Sequence, residues 1–337
     1  MQKRVSLKDI ANKVGVSIAL VSYVINGQEK EKRVGAEVVK KIRQAAEELN
    51  YQPNQIARSL RMNSTQTIGL IVADIANPFF GQLARIIENR ASNHGYTVIF
   101  GSSDEDQFKS ESLMNTLLNR QVDGFIIVPT EGTIGQIRSL VRRKIPFVLV
   151  DRYFPEINVS HVVLDNHKAT YDATVQLIES GYRDISLFAY NLSLVHMKER
   201  IRGYKEAMVE NNLVENLHLI EIRPEHYQKD IGEAFDEIVA SKKKKRALIF
   251  ATNALSVYGL YCIQKRSLKI PDDIGFFGFD GGDSFDLFDP PLSFVQQPLE
   301  EMGKESFDIL LSMINGSSRI TQVMLSPSLV IRNSGSK

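Results

Sequence analysis

Five side chains suited to holding a small polar molecule stand just past short apolar runs. Phe79 and Phe80 follow "IGLIVA" (68–73) in the stretch "DIANPFFGQL". Asp151 follows "PFVLV" (146–150), Asn253 follows "ALIFA" (247–251) and Asp280 follows "IGFFGF" (274–279). Carboxylates and an amide make paired hydrogen bonds to vicinal hydroxyls, and an aromatic face stacks on a sugar or a purine. Each residue alone has a plainer use; Asp280, for instance, can cap a helix. Their shared position carries the argument, because ligands of open parallel sheets bind outside the carboxyl ends of the strands.

Such positions require an α/β scaffold. The runs already quoted are joined by "TVIFG" (97–101), "GFIIV" (124–128), "ISLFA" (185–189) and "LHLIEI" (217–222). Helix-length segments separate them. This alternation predicts parallel sheets covered on both faces, and two groups of four strands predict two lobes. The glycines Gly275, Gly278 and Gly281 are spaced G-x-x-G-x-x-G, which is not a dinucleotide fingerprint. No P-loop, nucleophile elbow or metal-ligand spacing is evident, so no enzyme and no cofactor are expected. His161 and His167 are six apart, a poor pair for one ion. The single cysteine, Cys262, lies in the apolar run "VYGLYCIQ" and reads as an inert buried thiol.

A chain of 337 residues exceeds one ordinary core. Its 43% hydrophobic and 24% charged residues fit a soluble globular protein. It has no run long enough to span a membrane and no apolar stretch behind Lys3 and Arg4, so a cytoplasmic location is expected. Net charge is +1, unevenly spread. Residues 1–63 hold twelve Lys/Arg and six Asp/Glu, or +6; the remainder, with 29 basic and 34 acidic residues, carries −5. A basic head on an acidic body points to an anionic partner for the head.

That head reads as three helices. "SLKDIANKV" (6–14) starts with Ser6 and has Asp9 three later, a capping-box spacing, and Gly15 closes it. Ser17 caps a second helix over 18–26, ended by Gly27. A third runs from Ala36 to Leu49, with Val38, Ile42, Ala45 and Leu49 on one face. Two helices joined by a tight glycine turn make a helix-turn-helix candidate. Leu20, Val21, Val24 and Ile25 share one stripe of the second helix. Ile18, Ala19, Ser22, Tyr23 and Asn26 share the other, which is uncharged where a solvated face would carry Lys or Glu. Ile18 and Ala19 suit contact with thymine methyl groups in a major groove, and Tyr23 suits a phosphate or a base edge.

The stretches "SLKDIANKVGVS…VSYVING", "LNYQPNQIARSLR" and "IGLIVADIANPFF" together resemble the lactose/galactose-repressor (LacI/GalR) family of bacterial transcription factors. The resemblance covers essentially the whole chain. It implies a helix-turn-helix headpiece (1–50), a hinge helix and linker (51–64) and a two-lobed core like periplasmic sugar-binding proteins (65–337). The implied N-lobe holds about 65–165 and 296–325, and the C-lobe about 166–295 and 326–337. It implies a homodimer on near-palindromic double-stranded operator DNA, controlled by a small effector.

Residue by residue, Ser17, Ile18, Ala19, Ser22, Tyr23 and Asn26 fall in the implied recognition segment. Ala57, Leu60 and Arg61 match the hinge that enters the minor groove, with Leu60 as the wedge between base pairs. Arg200 in "ERIRGYKEAM", Tyr227 and Gln297 match effector-cleft positions and join Phe79, Phe80, Asp151, Asn253 and Asp280. Leu194 stands where a second arginine is used for a purine, which favours a sugar or sugar phosphate. Two departures stand out. Apolar residues fill both Ile18 and Ala19, and the loop "GQEKEKRV" (27–34) is longer and more basic than usual. The loop reads equally as a source of phosphate contacts and as a solvated segment. "KKKKR" (242–246) reads as a solvated helix end. The competing reading is a soluble sugar-binding protein whose N-terminal helices dock a protein partner.

Overall fold

The computed structural model describes residues 5–52, 64–241 and 246–335. The chain divides into two compact units, residues 1–65 and 66–337.

The first unit contains α1 (Leu7–Val14), α2 (Ile18–Ile25) and α3 (Ala36–Glu48). At the start of α1 the Asp9 carboxylate accepts from the backbone N–H of Ser6 at 2.8 Å and from its hydroxyl at 2.7 Å. That satisfies a donor the helix itself cannot pair. Gly15 ends α1 in the left-handed region at φ 76°, where a side chain would be strained. This lets the chain turn within two residues into α2, where Ser17 Oγ accepts from the Leu20 N–H at 3.2 Å. Ile10, Ala11, Val21, Val24, Ile42 and Ala45 form the buried core of the three helices.

The second unit holds two six-stranded sheets. The first contains β1 (Thr67–Val72), β2 (Thr97–Ser102), β3 (Gly124–Ile127), β4 (Phe147–Val150), β5 (His161–Leu164) and, late in the chain, Gln322–Leu325. Its order is Gln322–Leu325, β5, β4, β3, β1, β2, parallel throughout. The helices between these strands are α4 (Pro78–Asn93), α5 (Gln107–Asn119) and α6 (Ile134–Arg142). The second sheet follows α7 (Asn166–Glu179). It contains β6 (Asp184–Tyr190), β7 (Leu217–Ile222), β8 (Arg246–Phe250), β9 (Ile274–Phe279), β10 (Ser293–Gln296) and the edge strand Ser328–Val330. Between them run α8 (Val195–Glu210), α9 (Tyr227–Ala240) and α10 (Asn253–Lys265), and α11 (Leu299–Ile314) follows β10. Among the described residues only the edge strand Ser328–Val330 is antiparallel to its neighbour.

The chain changes sheet three times. It leaves the first sheet after β5, returns after β10 to place α11 against α4, and crosses again between Leu325 and Ser328. The sequence reading found the eight long apolar strands and missed four: β5, β10, β11 (Gln322–Leu325) and β12 (Ser328–Val330). β11 and β12 are half-exposed edge strands, β10 sets only Phe294 and Val295 between Ser293 and Gln296, and β5 opens on His161, so none shows the all-apolar run that marks the equally short β4.

Candidate ligand-binding cleft and nucleic-acid interface

Parallel pairing puts the carboxyl ends of β1 to β4 on one side of the first sheet, and those of β6 to β9 on one side of the second. Asp151 follows β4 directly, with a left-handed backbone at φ 67°. Its neighbour Arg152 has Nε 3.4 Å from Asp151 Oδ2. The Arg152 guanidinium also donates to both oxygens of Glu105, at 2.8 and 2.7 Å. It stands 5.9 Å from the Phe80 ring centroid, a cation–π distance. Phe80 and Phe79 meet edge to face at 4.9 Å, and both are buried in the first lobe's core.

The other lobe supplies the complement. Arg200, on α8, is 3% exposed. Its Nε donates to Asn166 Oδ1 at 2.8 Å, its Nη1 donates to the Ala251 carbonyl, and its plane lies 3.7 Å from the Phe279 ring centroid. Asn253, at the start of α10, donates through Nδ2 to the Asp280 carbonyl at 2.7 Å. Asp280 follows β9 with φ 55°, and its carboxylate accepts from Gln297 Nε2 at 2.9 Å. Gln297 sits just past β10, at a crossover between lobes.

These groups act on one another electrostatically. Burial pushes the Asp280 carboxyl up to about 7, while the Arg200 charge pulls it down. Burial also raises Asp151, against the pull of Arg152 and Arg200. Burial lowers Arg200 to about 10, against the carboxylates Asp280 and Asp151. Buried His196, one turn before Arg200 on α8, is held well below the ordinary histidine range by desolvation and by the charges of Arg152 and Arg200. Asp151 of one lobe and Arg200 and Asp280 of the other therefore form one cluster. Tyr190, at the end of β6, is raised by burial and senses Tyr227 and Glu105, with Thr252 as its hydrogen-bond partner.

Of the candidates read from sequence, Asp151, Arg200, Asn253, Asp280 and Gln297 join this cluster, and Phe80 reaches it through Arg152. Phe79 touches Phe80 but packs in the core. Tyr227 is linked through Tyr190 and packs edge to face on Tyr258 at 5.6 Å. Sequence reasoning missed Glu105, Arg152, Asn166, Tyr190, His196 and Phe279. The strand-end rule that found Asp151 also reaches Arg152 and Glu105. Asn166 was hidden because β5 was not seen. His196 lies four residues from Arg200, on the same helix face.

The lobes also touch outside the charged cluster. Ser193 N–H donates to Glu131 Oε1 at 3.0 Å. Leu194, at the start of α8, is buried among first-lobe residues such as Met114 and Phe125.

On the first unit, Val21 and Val24 of α2 are buried, and Leu20 and Ile25 pack against that core. The opposite face is open. Ile18 is 47% exposed, Ala19 and Asn26 are exposed, and Ser22 and Tyr23 are half-buried. Asn26 Nδ2 donates to the Ser22 carbonyl at 2.6 Å and to its hydroxyl at 3.1 Å, while Ser17 Oγ is engaged in the cap. The 27–34 loop is tied down. Val34 N–H donates to the Glu29 carbonyl at 2.8 Å, Arg43 pairs with Glu29 at 2.7 Å, and Lys32 Nζ is 5.8 Å from the Tyr23 ring. Ala57, Leu60 and Arg61 lie outside the described residues, as do Lys242 to Lys245. Arg246 is buried and paired with Asp184 at 3.0 Å. Burial pushes the Cys262 thiol up, away from the reactive thiolate. Among the described residues no helix is long and apolar enough to cross a membrane, and no group of His, Cys, Asp or Glu has metal-site geometry.

Residues 6–54 match the family described as bacterial regulatory proteins, lacI family. Residues 65–336 match the periplasmic binding proteins and sugar binding domain of the LacI family. The chain is 32% identical to the HTH-type transcriptional repressor PurR of Vibrio campbellii, over 98% of this chain and 99% of that protein. A cellobiose complex of the transcriptional regulator CelR superposes with a TM-score of 0.71 at 25% identity, covering 98% of this chain and all of that one. The lac repressor dimer bound to operator shares the fold, with a TM-score of 0.86 at 22% identity over 99% of this chain and all of that one.

Proposed function

The chain belongs to the LacI family of bacterial regulatory proteins, and from that premise we propose how its parts divide the work of a DNA-binding transcriptional regulator. Residues 1–50 read the operator, 51–64 form the hinge, and 65–337 bind the effector and pair two copies in the cytoplasm. Ile18, Ala19 and Tyr23 meet base edges or thymine methyls, with Ser17, Ser22 and Asn26 beside them. Ala57, Leu60 and Arg61 enter the minor groove, Leu60 as the wedge. The observation that supports the head's role is the open, uncharged face of α2 beside a two-residue turn.

The effector is a sugar or sugar phosphate held by Asp151, Arg200, Asn253, Asp280 and Gln297. Phe79, Phe80 and Tyr227 shape the walls. Asp151 and Arg200 lie on opposite lobes, so a ligand that bonds to both favours one lobe arrangement over another. The supporting observation is that buried charges from both lobes fall in one cluster. The relative solved with cellobiose lends support to a sugar. Lobe rotation changes the spacing of the two hinges in a dimer, and with it operator affinity. The effector shifts that affinity only by its own preference for one state, in practice about 5- to 150-fold.

The test is selection from a random DNA pool with the full chain and with a chain lacking residues 1–63. Enrichment of a two-fold symmetric site by the full chain alone supports the reading. Enrichment by neither, repeated in the presence of a sugar and sugar-phosphate mixture, leaves the head as a docking module for a protein.

A further inference from the structure

Both guanidiniums of the cleft have protein partners before any ligand enters. Arg152 gives Nη1 and Nη2 to Glu105 at 2.8 and 2.7 Å and keeps Nε 3.4 Å from Asp151. Arg200 spends Nε on Asn166 and Nη1 on Ala251, and its charge is balanced by Asp280 and Asp151. Among the described residues of this cluster, the three carboxyl groups Glu105, Asp151 and Asp280 face two guanidiniums, and burial makes Asp151 and Asp280 hold a proton more tightly than usual. His196 does not add a cation, because desolvation and both arginines keep it neutral. Gln297 gives its amide nitrogen to Asp280, and its buried Oε1 has no hydrogen-bond partner. Gln297 Oε1 therefore calls for a donor from a ligand, while the buried Arg152 Nε, 3.4 Å from Asp151, has no hydrogen bond of its own. An ionised carboxylate or phosphate group adds acceptors and negative charge.

Glu105 is placed to create this condition. Asp104 and Glu105 are consecutive left-handed residues, φ 51° and 58°, a costly backbone for side chains of this type. The Glu105 N–H is pinned to the Ala73 carbonyl at 2.9 Å. The turn aims a carboxylate that is 44% exposed at a guanidinium that is 8% exposed. Glu105 thus stands at the rim, over the first lobe's buried cation.

We propose that Glu105 sets the charge selectivity of the cleft: by occupying Arg152 it restricts the effector to an uncharged, hydroxyl-rich molecule and turns away phosphorylated or carboxylated sugars. This rests on the reading of the cleft as the effector site. A glutamine at 105 keeps the shape but removes the charge, leaving Arg152 able to grip an oxyanion with its paired donors.

The experiment compares thermal unfolding of the full-length wild type, Glu105→Gln and Glu105→Asp. Each is melted in inorganic phosphate, in chloride of equal ionic strength, and with a panel of neutral sugars and their phosphates. Phosphate, a salt excluded from protein surfaces, should shift the wild type and Glu105→Asp midpoints alike relative to chloride, by a small amount that does not saturate. It should raise the Glu105→Gln midpoint by about 2 °C or more beyond that, as binding to the folded state does. A neutral sugar should raise the wild-type midpoint and its phosphate should not. The proposal is overturned if phosphate or a sugar phosphate gives the wild type a saturable rise, or if a folded Glu105→Gln gains no phosphate response beyond that of the wild type. Should Glu105→Gln lose its cooperative transition, the wild-type comparison still decides. A panel in which no sugar of either kind moves the wild type sinks the sugar reading itself, and the phosphate comparison still judges Glu105.

Discussion

On α2, Ile18 and Ala19 point into solvent and the helix carries no charged residue, whereas in the cleft Arg152 is held by the Glu105 carboxylate and Arg200 by Asn166 and the Ala251 carbonyl. One surface is open, apolar and inexpensive to desolvate. The other is buried and polar, and depends on every partner being present. The supporting cores differ as well. Six buried residues hold the headpiece, while the lobes of the second unit contain four hydrophobic clusters. A small domain buries a smaller share of its surface and is correspondingly marginal. The contrast teaches that the two functions fail in different ways. The headpiece should lose function by losing its fold, and the cleft by losing one charge.

The largest effect should come from Arg200→Ala. It leaves the Asn166 Oδ1 and Ala251 carbonyl acceptors unpaired in a buried site, at about 1–3 kcal/mol each, and removes the charge that opposes the burial of Asp280 and Asp151. Denaturant unfolding of the second unit should show that loss, and the effector response should disappear. An effector response that survives unchanged removes Arg200 from the site. Ile42→Ala is the counterpart in the headpiece. Truncating a fully buried isoleucine costs about 2–5 kcal/mol, enough to unfold so small a core. DNA binding should be lost while the core's thermal transition stays in place. If both units lose stability together, the separation drawn here fails.

A pH titration sharpens the same contrast. Asp280 rises from the ordinary 3.8 to about 7 in the folded cleft, so the folded state holds its proton more tightly than the unfolded chain. Its contribution is present below about pH 4 and is lost as pH rises to about 7. His196 has the opposite sign: its lowered pKa weakens the fold as pH falls through the ordinary histidine value of 6.5. The two overlap, so the informative quantity is wild type minus Asp280→Asn. That difference should decline with rising pH between about 4 and 7 and flatten above. The headpiece transition should show no such difference. A flat difference across that window places Asp280 outside the buried cluster.

How much of this was legible in the sequence varied with how local each determinant is. Runs such as "IGFFGF" are long enough to show a buried strand, and each pointed to the residue just past its end, Asp280 among them. β5 opens on His161 and adds only three apolar residues, so Asn166 behind it was invisible although its side chain accepts from Arg200. Pairings between distant residues have no sequence signal at all. Glu105 and Arg152 are 47 residues apart, and Arg200 reaches the Ala251 carbonyl 51 residues on. The headpiece was easier because its determinants are local. Ser6 with Asp9, Gly15 and Ser17 each act within a few residues, and the two faces of α2 follow from helical geometry alone.

The smallest effect expected is also the most local. Ser17→Ala removes one acceptor from the first turn of α2, where Ser17 Oγ takes the Leu20 N–H at 3.2 Å. Losing such a cap costs about 1 kcal/mol. In the second unit, with its large cores, a loss of that size would scarcely show. In the headpiece it should lower the unfolding midpoint by about 4–8 °C. It also loosens the first turn of α2, which carries Ile18 and Ala19. Specific operator binding should therefore fall by more than nonspecific binding does, even well below the midpoint. Equal losses on both DNAs would mean that Ser17 acts only through headpiece stability, and that the orientation of Ile18 and Ala19 does not depend on the cap.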